Sequence, residues 1–468
     1  MSPTLLERLA SFAAESNPDR LPSEVVASVR LRVLDTLGIA LAASAAGLAD
    51  GVVDLVKATG GRPEASIIGA EGRYPAAQAA LVDGTLAHSL DFDDTHLPSI
   101  LHPSASIVPA VLAIGEATGA TGAELVAAVA VGIEVTVRTG MGGYLPDGEN
   151  VFFERGWHAT SICGTLGASA AAARLLGLDD AGIGHAIAIA ASFGGGLLEA
   201  NRSGGTVKRL HCGWAAHAGI TAAQLAARGY TGPASVLEGR FGFYEAYLGG
   251  RFDPSQVTAG LGEQWEVPGV FFKPYPANHY THAGIDAAIA IRDRDHPEID
   301  RIVRIELGSS ASALRTIGEP RAEKIAPRSG YHAQFSGPFT VATALLGGGG
   351  LGVWFDDFTD ARARDERVLR LARLVETFVD PEVDALFPRR FGAIVRVHLD
   401  DGRVFEERVM VNRGGPDRPL SEEELRRKYL LNSTRRVPSA TAERVADVVA
   451  RLELEGPGAA TRLMDSTR

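Results

Sequence analysis

Cysteine is nearly absent from this chain of 468 residues: Cys163 and Cys212 are the only two. Two thiols build no disulfide framework, and they cannot hold an iron–sulfur cluster that needs three or four thiolates from one chain. A basic surplus is missing too. Lys and Arg total 46 against 57 Asp and Glu, a formal charge of −11, so the broad positive surface that nucleic acid or an anionic membrane requires is not available. Any anionic substrate must then be met by a local basic site. Long apolar runs are lacking as well: the most apolar stretch, Val126 to Val137, carries Glu134 and is flanked by Glu124 and Arg138, too short and too charged to cross a bilayer. It predicts a buried helix. No basic start followed by an apolar stretch occurs from Met1 to Arg20, which predicts a cytoplasmic protein without an export signal. Neither His-x-x-x-His nor Cys-x-x-Cys spacing occurs, so neither a metal nor a cofactor is expected.

What is present is an Ala/Leu/Val-rich texture with 46% hydrophobic residues. The length predicts two domains. From Leu5 to about Ala227, segments of helical length such as Val33 to Ala43 and Gly122 to Val137 follow one another, broken by Gly, Pro and Asn; this half reads as all-helical. After about Lys273 the pattern changes. Ile302 to Leu307 alternates in period two, and Ile394 to Leu399 and Val404 to Val411 flank Asp401-Gly402, a hairpin signal. Pro338 to Leu346 and Ala361 to Phe378 read as helices between these strands. Helix returns at the end, with Ser421 and Glu424 spaced as a capping box and Val445, Val448, Val449 and Leu452 on one helical face. The expectation is a mainly α protein: a large all-helical domain from residues 1–270 and 412–468, and a smaller α/β lid domain over 271–411.

The chemistry concentrates in Asp91-Phe92-Asp93-Asp94-Thr95-His96, followed by His102-Pro103-Ser104. Carboxylates, a hydroxyl and imidazoles in one short segment can move protons; the plain alternative is that Asp91 caps a helix start. His158 follows Arg155-Gly156-Trp157 and precedes a small-residue helix, whose start would present free N–H groups to an anion. Gly204-Gly205-Thr206-Val207-Lys208-Arg209-Leu210-His211 sets a cation after a flexible Gly pair, where amides and an ammonium can converge on a carboxylate, but it lacks the Gly-Lys-Ser/Thr ending of a phosphate-binding loop. Lys273-Pro274-Tyr275-Pro276-Ala277-Asn278-His279 joins a cation, a stiff turn and an imidazole. His185 and His217 sit in Ala-rich sequence and read as ordinary helix residues. Gly347, Gly349 and Gly352 fit a dinucleotide pattern without the strand and helix it needs. Asp91 to Asp94 and Asp356 to Asp360 resemble the acidic motifs of helical terpene cyclases, a remote alternative, since the second metal-binding motif of that class is missing.

The blocks His88-Ser89-Leu90-Asp91-Phe92-Asp93-Asp94-Thr95, His102-Pro103-Ser104, Gly156-Trp157-His158, Lys208-Arg209-Leu210-His211 with Gly213, and Lys273-Pro274-Tyr275-Pro276 together resemble the MmgE/PrpD family over nearly the whole chain. The resemblance implies a cofactor-independent enzyme of small polycarboxylates, with no metal, that works as a homodimer. It places Asp91, His102, His158 and Lys208 in catalysis and Thr95 in substrate binding, with Lys273 at the lid junction; Lys273, Asn278 and His279, on the stiff turn, are expected to close over the bound substrate. The reaction expected first is dehydration of a 2-methylcitrate-like substrate, a lyase activity in which a proton leaves the carbon beside a carboxylate. The alternatives are epimerisation of the iminodisuccinate type and decarboxylation of cis-aconitate. Two positions depart from the cis-aconitate decarboxylase pattern: Asn278 stands where those enzymes resemble a His, with His279 one place later, and Phe339 stands where they have a Tyr. Which of Asp91 and His102 is the base stays open.

Overall fold

The computed structural model describes residues 3–146, 148–200, 205–387 and 389–467. The protein is mainly helical, with two small sheets. Its chain separates into two compact units, Met1–Val270 with Leu425–Arg468, and Phe271–Glu424. The second unit continues past the expected end at Val411 because the following residues bond back into it. Asn412 meets His279 at 2.5 Å, Arg413 donates to the Tyr275 hydroxyl, and the Phe272 amide donates to the Gly414 carbonyl.

In the first unit, helix starts are written in the sequence. Thr4 with Glu7, and Thr121 with Glu124, form reciprocal capping boxes for Leu5–Glu15 and Gly122–Met141. The Val207–Ala226 helix packs on Ala76–His88 and on Ala159–Leu175, and small residues let them touch backbone to backbone. A Cβ on Gly213 would fall 2.1 Å from the Leu81 carbonyl, and one on Gly84 2.8 Å from the Gly213 Cα, so this crossing tolerates no side chain. The close approach brings His88, at one helix end, to Cys212 on the other helix. One expectation fails here: the first half is not all-helical, because Ala65–Ile67 (β1) and Ala70–Tyr74 (β2) pair antiparallel. Both are short, and their alternation is too brief to outweigh the Ala-rich surroundings.

The Gly122–Met141 helix shows how this core treats charge. Arg138 Nε lies 2.6 Å from Glu134 Oε1, and its other nitrogens donate to the carbonyls of Ala259 and Gln264. Burial nevertheless outweighs the arginine and pushes the Glu134 carboxyl up to about 7. A value raised above the ordinary 4.5 means that this group favours the folded state below that point, and that the contribution is lost as pH rises through about 7. In urea unfolding, wild type is therefore expected to lose on the order of 1–3 kcal/mol relative to Glu134→Gln between about pH 5 and pH 8. A stability difference that stays constant with pH would contradict this.

The second unit holds a four-stranded sheet in the order β4-β3-β5-β6, formed by Ile302–Ser309 (β3), Val375–Val379 (β4), Ala393–Leu399 (β5) and Val404–Val409 (β6). β3 runs parallel to β4 and antiparallel to β5, and β5 and β6 form the hairpin around Asp401-Gly402. Gly402 takes the left-handed φ of 86° that the turn needs. The predicted helix over Ala361 to Phe378 is corrected: only Glu366–Leu374 is α-helical, and Val375 onward is strand β4. Val375, Thr377 and Val379 are β-branched at alternate positions, and pairing with β3 outweighs continuation of the helix. The Gly337–Leu346 helix and the Ser421 capping box are present as read. Val445 and Val449 are buried on one face of Ser439–Val449, while Leu452 falls in a separate short turn.

Candidate active site

The loop from Ser89 to Pro103 joins Ala76–His88 to Ser104–Thr118 and carries most of the chemistry. Asp91 does not cap a helix start. It sits after a helix end, with a left-handed φ of 52°, and Ile100 shares that value. Such conformations cost about 1–3 kcal/mol each and persist only where surroundings over-determine them. The surroundings here are specific. Arg32 Nη1 lies 2.9 Å from Asp94 Oδ2, both side chains buried, while Arg32 Nη2 donates to the carbonyls of Val267 and Val270. The Ser104 hydroxyl and amide also donate to Asp94. Lys428 bonds Asp35 at 2.8 Å, donates to the Phe92 carbonyl, and sits 3.8 Å over the Phe92 ring. His96 closes the loop on itself, through Ser99 and the Leu101 backbone.

Within that frame Lys208 Nζ reaches Asp91 Oδ1 at 3.3 Å. Lys208 stands in the first turn of Val207–Ala226, and its neighbours one turn on, His211 and Cys212, share its helix face. Gly204, first of the predicted glycine pair, lies outside the described residues. His102 Nδ1 is 2.6 Å from the Asp94 carbonyl oxygen and 3.3 Å from Thr95 Oγ1. A carbonyl only accepts, so Nδ1 carries the proton and the neutral ring keeps its lone pair on Nε2. The His102 amide donates to Thr160 Oγ1, which ties the start of one helix to the start of another.

His158 is the residue immediately before the Ala159–Leu175 helix, as the sequence predicted. Its Nδ1 lies 2.8 Å from Nδ1 of His211, so one ring donates and the other accepts. Burial, and then the neighbouring His88 and Lys208, hold His158 well below the ordinary imidazole range and bring His211 down to about 4. Both rings are therefore uncharged near neutrality. His88 stacks beside this pair, 5.6 Å from the His158 ring and 5.4 Å from the His102 ring, with Nδ1 bonded to Asp93 at 2.7 Å.

Asp91, Thr95, His102, His158 and Lys208 thus come together in the first unit. Arg32 and Cys212 are additions that no motif pointed to, whereas His88, Asp93 and His211 lie inside the short blocks read from the sequence and gain their partners only from the fold. His88, Asp93 and Cys212 also offer donor atoms within 4.8 Å of one another, a grouping that no spaced ligand pair in the sequence signals. They do not fit a resting metal site: His88 and Asp93 are already bonded to each other, and burial pushes the Cys212 thiol well up, away from the thiolate a metal needs.

Lys273, Asn278 and His279 belong to the second unit. Lys273 is buried. The Asn278 Oδ1 accepts from the Tyr280 amide and caps a short turn. The His279 ring packs edge-on against Phe271 and Phe391, with Asn412 on its Nε2. Phe339 is buried on Gly337–Leu346. Asp357, from the second acidic run, caps backbone amides of Gly349 and Trp354, a structural use.

Comparison with known proteins gives one family. The MmgE/PrpD N-terminal domain matches residues 7–255 and the MmgE/PrpD C-terminal domain matches residues 275–454. The chain is 29% identical over 478 residues to cis-aconitate decarboxylase of Mus musculus, covering 99% of this chain and 94% of that protein. It is 32% identical over 392 residues to cis-aconitate decarboxylase of Homo sapiens, covering 81% and 77%. It is 26% identical over 441 residues to cis-aconitate decarboxylase of Aspergillus terreus, covering 90% and 87%. With both domains matched in order along the chain, this protein belongs to the MmgE/PrpD family.

Proposed function

We propose that the protein is a lyase that acts on a small polycarboxylate by moving a proton on the carbon beside a carboxylate. The observation that carries this reading is the pairing of an oriented imidazole with a fixed cation: the Asp94 carbonyl holds His102 through Nδ1, so that in its neutral form the basic lone pair is on Nε2, and Lys208 stands on Asp91. Lys208 holds a substrate carboxylate and stabilises the enediolate charge that develops there, the larger part of the task in a water-poor site. His102 takes or returns the proton, a contribution of about 10²–10⁴-fold. His158 and His211, uncharged, orient the remaining carboxylates through N–H donation, with the helix start at Ala159 behind them.

Two reactions use this arrangement. In decarboxylation of cis-aconitate, the bond to one carboxylate breaks, its electron pair spreads over the allylic carbons, carbon dioxide leaves, and a proton is returned at the far carbon. The names of the relatives favour that reaction. In dehydration of a 2-methylcitrate-like substrate, the base removes the proton and the hydroxyl leaves as water. The absence of a side-chain hydroxyl at Phe339 favours that second reading. Incubation with each acid decides between them: released carbon dioxide supports the first, a new vinylic proton signal without carbon dioxide supports the second, and no turnover of either or of related di- and tricarboxylates contradicts the class. We also propose that two copies pair; light scattering at the mass of one 49.2 kDa chain would contradict it. Among the described residues no single helix is long and apolar enough to cross a membrane.

A further inference from the structure

The proton-transfer scheme leaves one buried imidazole unused. His88 is the last residue of the Ala76–His88 helix, and its side chain is fully buried. Asp93 Oδ2 accepts from Nδ1 at 2.7 Å, so the neutral ring carries its lone pair on Nε2. That nitrogen is buried and has no hydrogen-bond partner among the described residues, a cost of about 1–3 kcal/mol that native structures rarely leave without a use. The ring is also the hinge of the cluster: it touches His102 on one side, at 5.4 Å, and His158 on the other, at 5.6 Å.

We infer that His88, oriented by Asp93, is a positioning residue of the proton-transfer site, which sets the facing of the His102 and His158 rings and places a protonatable group behind them. This rests on the proposed function. The titratable groups that face His88 are Asp93 from its own loop, His102 and His158 from the two neighbouring helix starts, and Cys212, Lys208 and His211 from the helix packed against it. Asp93 is the carboxylate that fixes the ring. His88 beside them disfavours charge on His158 and His211, which keeps these rings as neutral donors rather than partners that would bind substrate and product alike. The device is a carboxylate–histidine pair of the kind that orients a functional imidazole from behind.

The test uses His88→Asn, which keeps an N–H toward Asp93 but removes the ring, with Asp93→Asn as the second variant. In His88→Asn, kcat is expected to fall about 10–100-fold with KM changed less than about threefold. In substrate-free protein, the ring titrations of His158 and His211, followed by nitrogen-15 NMR, are expected to move upward by on the order of half a unit or more. Asp93→Asn should move both readings the same way by less, and it serves alone if His88→Asn does not fold. A variant that only melts earlier, with ring titrations in place and kcat within about twofold of wild type, overturns the inference. Wild type that turns over no polycarboxylate would sink the proposed function instead, and the ring titrations would still decide the role of His88.

Discussion

Lys208→Ala is expected to lower kcat/KM on the true substrate by about 10²–10³-fold, the usual loss when one preorganised donor to a developing oxyanion is removed. The fold should survive. Lys208 stands at a helix start, its side chain is partly open to water, and its pairing with Asp91 is at 3.3 Å, so the cost in stability should be about 1–2 kcal/mol. Lys208→Arg restores charge but not the compact point contact, and should recover only part of the rate. Steady-state kinetics beside a thermal melt checks both halves. Near-wild-type turnover in Lys208→Ala would remove the electrostatic role assigned to it, and a chain that fails to fold would move Lys208 from chemistry to architecture.

Arg32→Met should produce the largest loss of stability. The guanidinium reaches Asp94 and the carbonyls of Val267 and Val270 from a wholly buried position, and deleting one partner of a buried pair costs about 3–5 kcal/mol because the other charge stays stranded. Asp94 is already pushed up by burial, so losing Arg32 would push it further toward the protonated form and loosen its hold on the Ser104 helix start. The backbone of Asp94 is what orients His102. Activity should therefore fall together with stability, unlike in Lys208→Ala. Urea unfolding at neutral pH measures it; a loss below about 1 kcal/mol would mean that the ion pair contributes little beyond its packing.

How much of this was readable before the fold was known depends on distance along the chain. The helices around Val33 to Ala43 and Gly122 to Val137 were legible because their apolar content persists over several turns, and the hairpin at Asp401-Gly402 because a left-handed turn restricts its residues. The strand Val375–Val379 was not: it follows a helix directly, and only pairing with β3 decides its state. In the site, short motifs pointed at Asp91, His102, His158 and Lys208, which the fold gathers in one unit. They could not point at Arg32, 62 residues from Asp94, nor give His88 a task, since both meanings arise from contacts between helices. The Asp91 backbone carries the same lesson. Its carboxylate suggested a cap by residue type, whereas the left-handed turn aims it at Lys208.

The most direct measurement is proton NMR of a small polycarboxylate with the enzyme in deuterium oxide. The account predicts that wild type either places solvent deuterium on the carbon next to a carboxylate, when the product is decarboxylated, or strips a hydrogen from that carbon, when the product is dehydrated, and that Lys208→Ala does so at least about 10²-fold more slowly. A decarboxylated product with no deuterium at that carbon, or a dehydrated product that keeps every hydrogen the substrate carried there, would contradict it, because His102 would then have neither returned nor taken a proton.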